Sequence, residues 1–401
     1  MCYNPKKNCI LGDYMFSILL AIIYLSFISL GLPDSLLGAG WPVMYQDLNV
    51  PVSFAGILST IIASGTIVSS LLSDRLTARF GAGKVTAFSV LTTAVSLFGF
   101  SLSNQFWMLC ILAIPYGLGA GGVDAALNNY VALHYSSRHM SWLHCFWGIG
   151  VTISPYIMSF CLTKNFGWES GYFSVFILQI ILTLALFISL PLWKNRTTDS
   201  IDCNGKTTKP VGLKNAIKIK GVPLVLLTFF GYCALETTAG LWASSYFVEF
   251  RGILPETAAR FASLYYIGIT VGRFLNGFVT DKFGDKTMIR TGIITCVFGV
   301  GLVALPFQTS IFSLIGLLII GLGCAPIYPC IIHATPTNFG EQNSQAIIGI
   351  QMASAYLGST AAPPIFGFIA EGTTLGIYPL YLLVFTVLML VMSEKLNKLM
   401  R

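Results

Sequence analysis

Four ionisable side chains stand inside long apolar stretches of this 401-residue chain: Asp34, Asp124, Glu236 and Arg273. A charge at the centre of a bilayer costs about 2.5–3.5 kcal/mol on insertion scales, so each is a suspect for function. A carboxyl group in low-dielectric surroundings can load and release a proton near neutral pH, which makes Asp34, Asp124 and Glu236 the candidate proton-coupling residues. Pro33 removes the backbone donor that would serve the Ser29 carbonyl, so a kink is expected beside Asp34. The competing reading ends the helix at Pro33 and leaves Asp34 as a hydrated cap. Asp124 has Asn128 one turn on and Gly121 and Gly117 one and two turns back. An acid and an amide on a small-residue face suggest a cavity wall, although a structural hydrogen-bond network between helices would use the same residues.

Three further residues join Asn128 as candidate solute contacts. His144 and Trp147 lie three apart on one predicted helix, and Tyr232 lies one turn before Glu236, with Gly240 one turn after it. An indole face beside a histidine and an acid suits a sugar, whose C–H face stacks on a ring while its hydroxyls take polar partners. The blander reading is a histidine satisfied within the fold. Trp147 is set apart from Trp41, Trp107, Trp168, Trp193 and Trp242, which an interfacial belt explains. Arg273, eight residues before Asp281, is close enough to the membrane edge to snorkel, and a structural role is favoured for it.

The elements that must hold these residues are membrane helices. Charged residues make up 10% of the chain, hydrophobic ones 55%, and the mean hydropathy is +0.76. A soluble surface needs roughly 25% charged residues. Apolar runs near the ~20 residues that a bilayer requires predict twelve helices at 14–45, 54–73, 85–103, 106–133, 140–163, 171–193, 222–247, 257–280, 287–306, 310–333, 343–369 and 374–393. The first run is too long for a signal core and reads as a retained helix. Nineteen Lys and Arg fall on one side of this topology and three (Lys164, Arg251 and Arg260) on the other. The positive-inside rule then puts both termini in the cytoplasm, and the +7 net charge reflects topology rather than nucleic-acid binding. Ten cysteines without a CxxC pair give neither a disulfide framework nor a zinc site, and no metal or cofactor is expected.

The chain reads as a duplication. A charged turn, Gly277 followed by Asp281-Lys282-Phe283-Gly284-Asp285-Lys286, has a degraded twin in Asp74-Arg75 leading to Arg79-Phe80-Gly81 and Lys84. Gly117 and Gly119 pair with Gly321 and Gly323, Gly150 and Pro155 with Gly358 and Pro363, and Gly65 with Gly272. The polar stretch 194–221 is the linker, giving a six-helix bundle over 1–193 and another over 222–401. Gly117-xxx-Gly121 and Gly148-xxx-Thr152 are helix-packing patterns.

The turn, with Asp74, Arg75, Gly277, Asp281, Lys282 and Gly284 in gating or loop roles, resembles the loop signature of the major facilitator superfamily. The stretch Gly119 to Asn129, followed by Leu143-His144-Cys145-Phe146-Trp147-Gly148-Ile149-Gly150 and Pro155, is similar to the fucose permease-like branch, the fucose–galactose–glucose:proton symporters. That resemblance implies an all-α membrane protein of two pseudo-symmetric six-helix bundles and a proton-coupled sugar importer. It puts Asp34 and Asp124 at the link between proton and sugar, Asn128 in the cavity, and His144 at a polar contact. Trp147 departs from the branch, where the fucose permease has Asn, and Ser70 replaces the leading Gly of the first loop. The expected partners are a small solute, a sugar, and the lipid bilayer, with the protein a monomer in the cell (inner) membrane. Two rivals share the pattern: a proton-antiporting exporter of drugs or metabolites, and a sensor that has kept the fold. No nucleotide-binding loop or catalytic triad is present, so an enzyme is not expected.

Overall fold

The computed structural model describes residues 5–194, 211–305 and 311–400, and much of the expected linker, from 195 to 210, lies outside the described residues. Among the described residues the chain is helical throughout, without a strand. The helices are α1 (Pro5–Asp34), α2 (Leu36–Asp47), α3 (Ala55–Phe80), α4 (Ala82–Ser101), α5 (Phe106–His134), α6 (Ser137–Thr163), α7 (Gly167–Lys194), the short α8 (Leu213–Lys218), α9 (Val222–Ser245), α10 (Pro255–Phe283), α11 (Asp285–Ala304), α12 (Ile311–Phe339), α13 (Glu341–Gly372) and α14 (Tyr378–Leu399). Among the described residues, ten segments are long and apolar enough to cross a membrane, the first of them Ile18–Asp47, which joins α1 and α2. Helices α10 and α13, 29 and 32 residues long, match the bilayer in length but are more polar. Arg273, Asp281 and Lys282 fall on α10, and Glu341, Gln345, Gln351 and Glu371 on α13.

Two compact units form, one of Met1–Leu127 and Phe146–Pro210, the other of Asn128–Cys145 and Val211–Arg401. The end of α5 and the start of α6 therefore belong to the second unit, although they come from the first half of the sequence.

The internal repeat is visible in backbone geometry. Gly81 (φ 80, ψ 154) and Gly284 (φ 77, ψ 155) occupy the same left-handed conformation, open only to glycine without strain. Each N–H closes the preceding helix on a threonine carbonyl at 2.8 Å, Thr77 and Thr280 respectively. Each carbonyl then accepts the first bond of the next helix, from Val85 and Met288. This pairing corrects the register read from the sequence. The offset is 284 − 81 = 203, so Asp74 stands where Gly277 stands in the other half, inside α3 and buried. The twin of Asp281 is Ala78. Likewise Gly65, pressed on the Ile114 carbonyl and Leu118 amide, matches Gly268 on the Leu318 carbonyl and Leu322 amide, rather than Gly272.

Small residues set the helix contacts. A Cβ on Gly150 would lie 2.1 Å from the Ile28 carbonyl oxygen, and one on Gly358 would lie 2.5 Å from that of Phe230. These are equivalent crossings, α6 on α1 and α13 on α9. Gly117 and Gly121 meet the Ile62 and Thr66 carbonyls of α3 in the same way. The space expected beside Asp124 is thus filled by helix backbone, and the glycine face is a packing seam, not a cavity wall. A Gly face invites either a lumen or a neighbouring helix, and here the helix takes it. Trp41, Trp168 and Trp193 are also buried within the first unit instead of forming an interfacial belt. All three satisfy their indole N–H inside, Trp41 on the Val52 carbonyl, Trp168 on Asp47 and Trp193 on the Ser189 hydroxyl.

Candidate functional site

In the first unit the polar chemistry gathers where the first span breaks. Helix α1 ends at Asp34, Ser35 turns, and α2 resumes at Leu36. Both readings of Asp34 are partly realised: the helix does stop there, yet the break falls midway through a 30-residue span. The Asp34 side chain is exposed and accepts a hydrogen bond from the Trp147 indole, Nε1 to Oδ2 at 2.9 Å. Exposure of a carboxylate to lipid halfway along a membrane span would cost about 2.5–3.5 kcal/mol, which favours a polar setting for it. Ser35 secures the break by donating to the Val151 carbonyl at 2.7 Å and meeting Ser154 Oγ at 2.7 Å. Gly31 lets the α6 backbone come close enough for this, since a Cβ there would sit 2.2 Å from the Trp147 carbonyl oxygen.

The carbonyl that Pro33 orphans is recovered from far away in sequence. Gln179 of α7 donates to the Ser29 carbonyl at 2.8 Å, and its Oε1 faces the Thr93 hydroxyl at 3.2 Å. Sequence reasoning identified the orphan but missed Gln179, a residue only 2% exposed. A glutamine deep in an apolar helix was the available signal. Beside this kink a cavity of about 10 Å³ is lined by Ser26, Ser29, Thr93, Tyr116 and Gln179, roughly the room one water needs. Asp124, on α5 of the same unit, is 4% exposed.

The second unit collects most of the remaining candidates. His144 Nε2 lies 3.1 Å from Asn128 Oδ1, which joins the amide and the histidine of the sequence pattern. The Asn128 amide N–H points to Met352 Sδ at 4.0 Å, and Tyr328 donates to the same sulfur at 3.3 Å. The His144 ring meets Tyr328 edge-on, with centroids 4.5 Å apart. Tyr328 also contacts Phe229 and Tyr232 at 4.6 and 5.8 Å. This aromatic cluster extends the predicted site by Tyr328, Phe229 and Met352. Trp147 belongs to the first unit and is engaged with Asp34, as described above.

Glu236 and Arg273 are brought together, Oε1 to Nη2 at 3.2 Å, with the Tyr232 hydroxyl accepting from the same nitrogen at 3.2 Å. The expectation that Arg273 snorkels fails: its side chain is 3% exposed. A guanidinium turned inward without a counter-charge would be prohibitive, and Glu236 supplies that charge. The loop residues behave differently in the two halves. Asp281 accepts from the Arg138 amide at 3.1 Å and the Ser136 hydroxyl at 3.1 Å, and pairs with Arg138 Nε at 3.3 Å. Gly277 lies against Trp142, where a Cβ would meet the indole nitrogen at 2.2 Å. Asp74 and Arg75 fall within α3, and Lys282 in the last turn of α10. No group of three or more possible metal-ligating side chains occurs among the described residues.

Comparison with known proteins settles the family. The sequence profile of the Major Facilitator Superfamily matches residues 23–262 and 224–394, and the chain belongs to that family of membrane transporters. It is 23% identical over 394 residues to the cis,cis-muconate transport protein of Acinetobacter baylyi, covering 94% of this chain and 92% of that one. It is 22% identical over 327 residues to the glucose/mannose transporter GlcP of Bacillus subtilis, covering 79% and 78%. A crystal structure of the E. coli fucose:proton symporter FucP superposes with a TM-score of 0.76 at 15% identity, covering 95% of this chain and 98% of that one. The fold is that of a multi-pass transporter, not an enzyme.

Proposed function

We propose that this transporter is a proton-coupled sugar symporter working by alternating access, with both termini in the cytoplasm and the cell membrane as its site. The observation that carries the reading is the exposed Asp34 carboxylate at the break of the first span, held by the Trp147 indole. A discontinuous helix with an acid at its break, midway through the membrane, is the arrangement that secondary transporters use for coupling ions. Asp124 and Glu236 are the other carboxylates assigned to proton handling. Asn128, His144, Tyr232 and Tyr328 offer an amide, an imidazole and aromatic rings, the partners that sugar hydroxyls and C–H faces take. Two similar proteins are described as transporters of sugars, one for glucose and mannose and one a fucose:proton symporter. Asp74, Arg75, Gly277, Asp281, Lys282 and Gly284 serve the loops that open and close.

The energetics suffice. One proton moving down 100 mV releases ~2.3 kcal/mol, and one pH unit adds ~1.4 kcal/mol. At 1.4 kcal/mol per decade the sum, about 3.7 kcal/mol, supports accumulation of a neutral solute by a few hundredfold. The test uses proteoliposomes loaded with a pH-sensitive dye and a panel of hexoses and deoxyhexoses. Symport acidifies the lumen when the right sugar is added outside. Counterflow of drugs, with no response to any sugar, would replace this reading with the exporter.

A further inference from the structure

We infer that His333 is a proton-dependent latch: protonated on both ring nitrogens it ties the turn between α5 and α6 to the start of α11, and loss of one proton loosens that tie. His333 Nδ1 lies 2.7 Å from Asp285 Oδ2, and Nε2 lies 3.1 Å from the Tyr135 carbonyl oxygen. Both neighbours are acceptors. A neutral imidazole has one N–H and can serve only one of them, leaving two lone pairs opposed at about 3 Å across the other contact. The arrangement needs an N–H on each side of the ring.

The neighbours make the tie consequential. Ser137 donates to the other Asp285 oxygen at 2.6 Å, while Asp281 holds Ser136 and Arg138. Residues 135–138 are thus gripped by two acids of one charged turn. The titratable and charged groups around the ring are Asp285 and Asp281 on the turn, Arg138 paired with Asp281, and His139, whose ring lies 5.6 Å from that of Tyr135. Cys330, one turn back on α12, neighbours Asp285, and Tyr130, whose ring lies 6.4 Å from that of Tyr135, stacks on His134. The side chains of His333 and Asp285 are 21% and 16% exposed, so protons can reach them. The inference rests on the alternating-access reading in one respect. Residues 128–145 belong to the second compact unit while α5 and α6 run on from them into the first, so under that reading the tie holds the ends of two helices that both units share. The Lys and Arg distribution places the latch on the cytoplasmic side, which makes cytoplasmic acidity its input.

Hydrogen exchange on the purified full chain reads the latch without any transport assay. After correction for intrinsic exchange, peptides covering residues 134–142 should lose at least about tenfold protection between pH 6 and pH 8, the weight of one charge-assisted hydrogen bond. His333→Gln should show the low protection at both pH values, and His333→Arg, which always carries donors, the high one. Unchanged protection in the wild-type protein, or the same pH response in His333→Gln, would overturn the latch. Failure of sugar-driven proton uptake would instead count against the transport reading and leave the exchange result standing.

Discussion

The kink of the first span makes the sharpest quantitative demand. Gln179→Leu keeps the side-chain volume but removes the donor that satisfies the Ser29 carbonyl at 2.8 Å. The Thr93 hydroxyl keeps its bond to the Val90 carbonyl, so the loss falls on one buried acceptor, worth about 1–3 kcal/mol. Pro33→Ala restores a backbone N–H that can reach the same carbonyl, four residues back in the helix. In that background Gln179→Leu should cost about 1–2 kcal/mol less. For a unit of about 200 residues, 1 kcal/mol moves the melting temperature by roughly 2–4 °C. Thermal unfolding of the four proteins in detergent, followed by tryptophan fluorescence, measures the coupling. If Gln179→Leu lowers the melting temperature equally in the wild-type and the Pro33→Ala backgrounds, the glutamine is not answering for the proline.

The remaining predictions rest on close contacts and on the buried ion pair. Gly150→Ala and Gly358→Ala, each aiming a methyl into a backbone carbonyl, should each destabilise by about 1–3 kcal/mol. Gly301→Ala, with nothing within 4 Å, should be neutral or slightly stabilising by melting temperature. Glu236→Gln should lower folded yield on size exclusion by stranding Arg273, at about 3–5 kcal/mol. The double change Glu236→Leu with Arg273→Met should recover much of that yield, and a double variant as poor as the single one would show that the pair is not the issue.

Much of this architecture was legible because the bilayer imposes a length and an apolarity on every span, and the charged turns punctuate them. Pro33 announced its orphaned carbonyl, yet Gln179 lies 146 residues further on (179 − 33), and no local rule connects the two. The duplication was readable, but its register was not. Asp74-Arg75 and Asp281-Lys282 are alike as charged pairs, whereas the backbone conformation of Gly81 and Gly284 is what the two halves share. The face of Gly117 and Gly121 misled for a related reason, since small residues mark a close approach without saying what approaches. Arg273 could not be placed from its distance to the helix end, because burial depends on whether an acid such as Glu236 is within reach. Tyr328 and Met352 carried no signal in an aromatic-rich, apolar chain, and only packing brings them to His144 and Asn128.

The claim that most depends on measurement is that Asp34 carries the proton. Asp34→Asn protein, reconstituted beside wild type in vesicles holding a pH-sensitive dye, isolates it. The variant should exchange labelled sugar across the membrane by counterflow, yet neither accumulate it against a gradient nor acidify the lumen. Sugar-driven acidification that persists at the wild-type rate in Asp34→Asn would contradict the assignment.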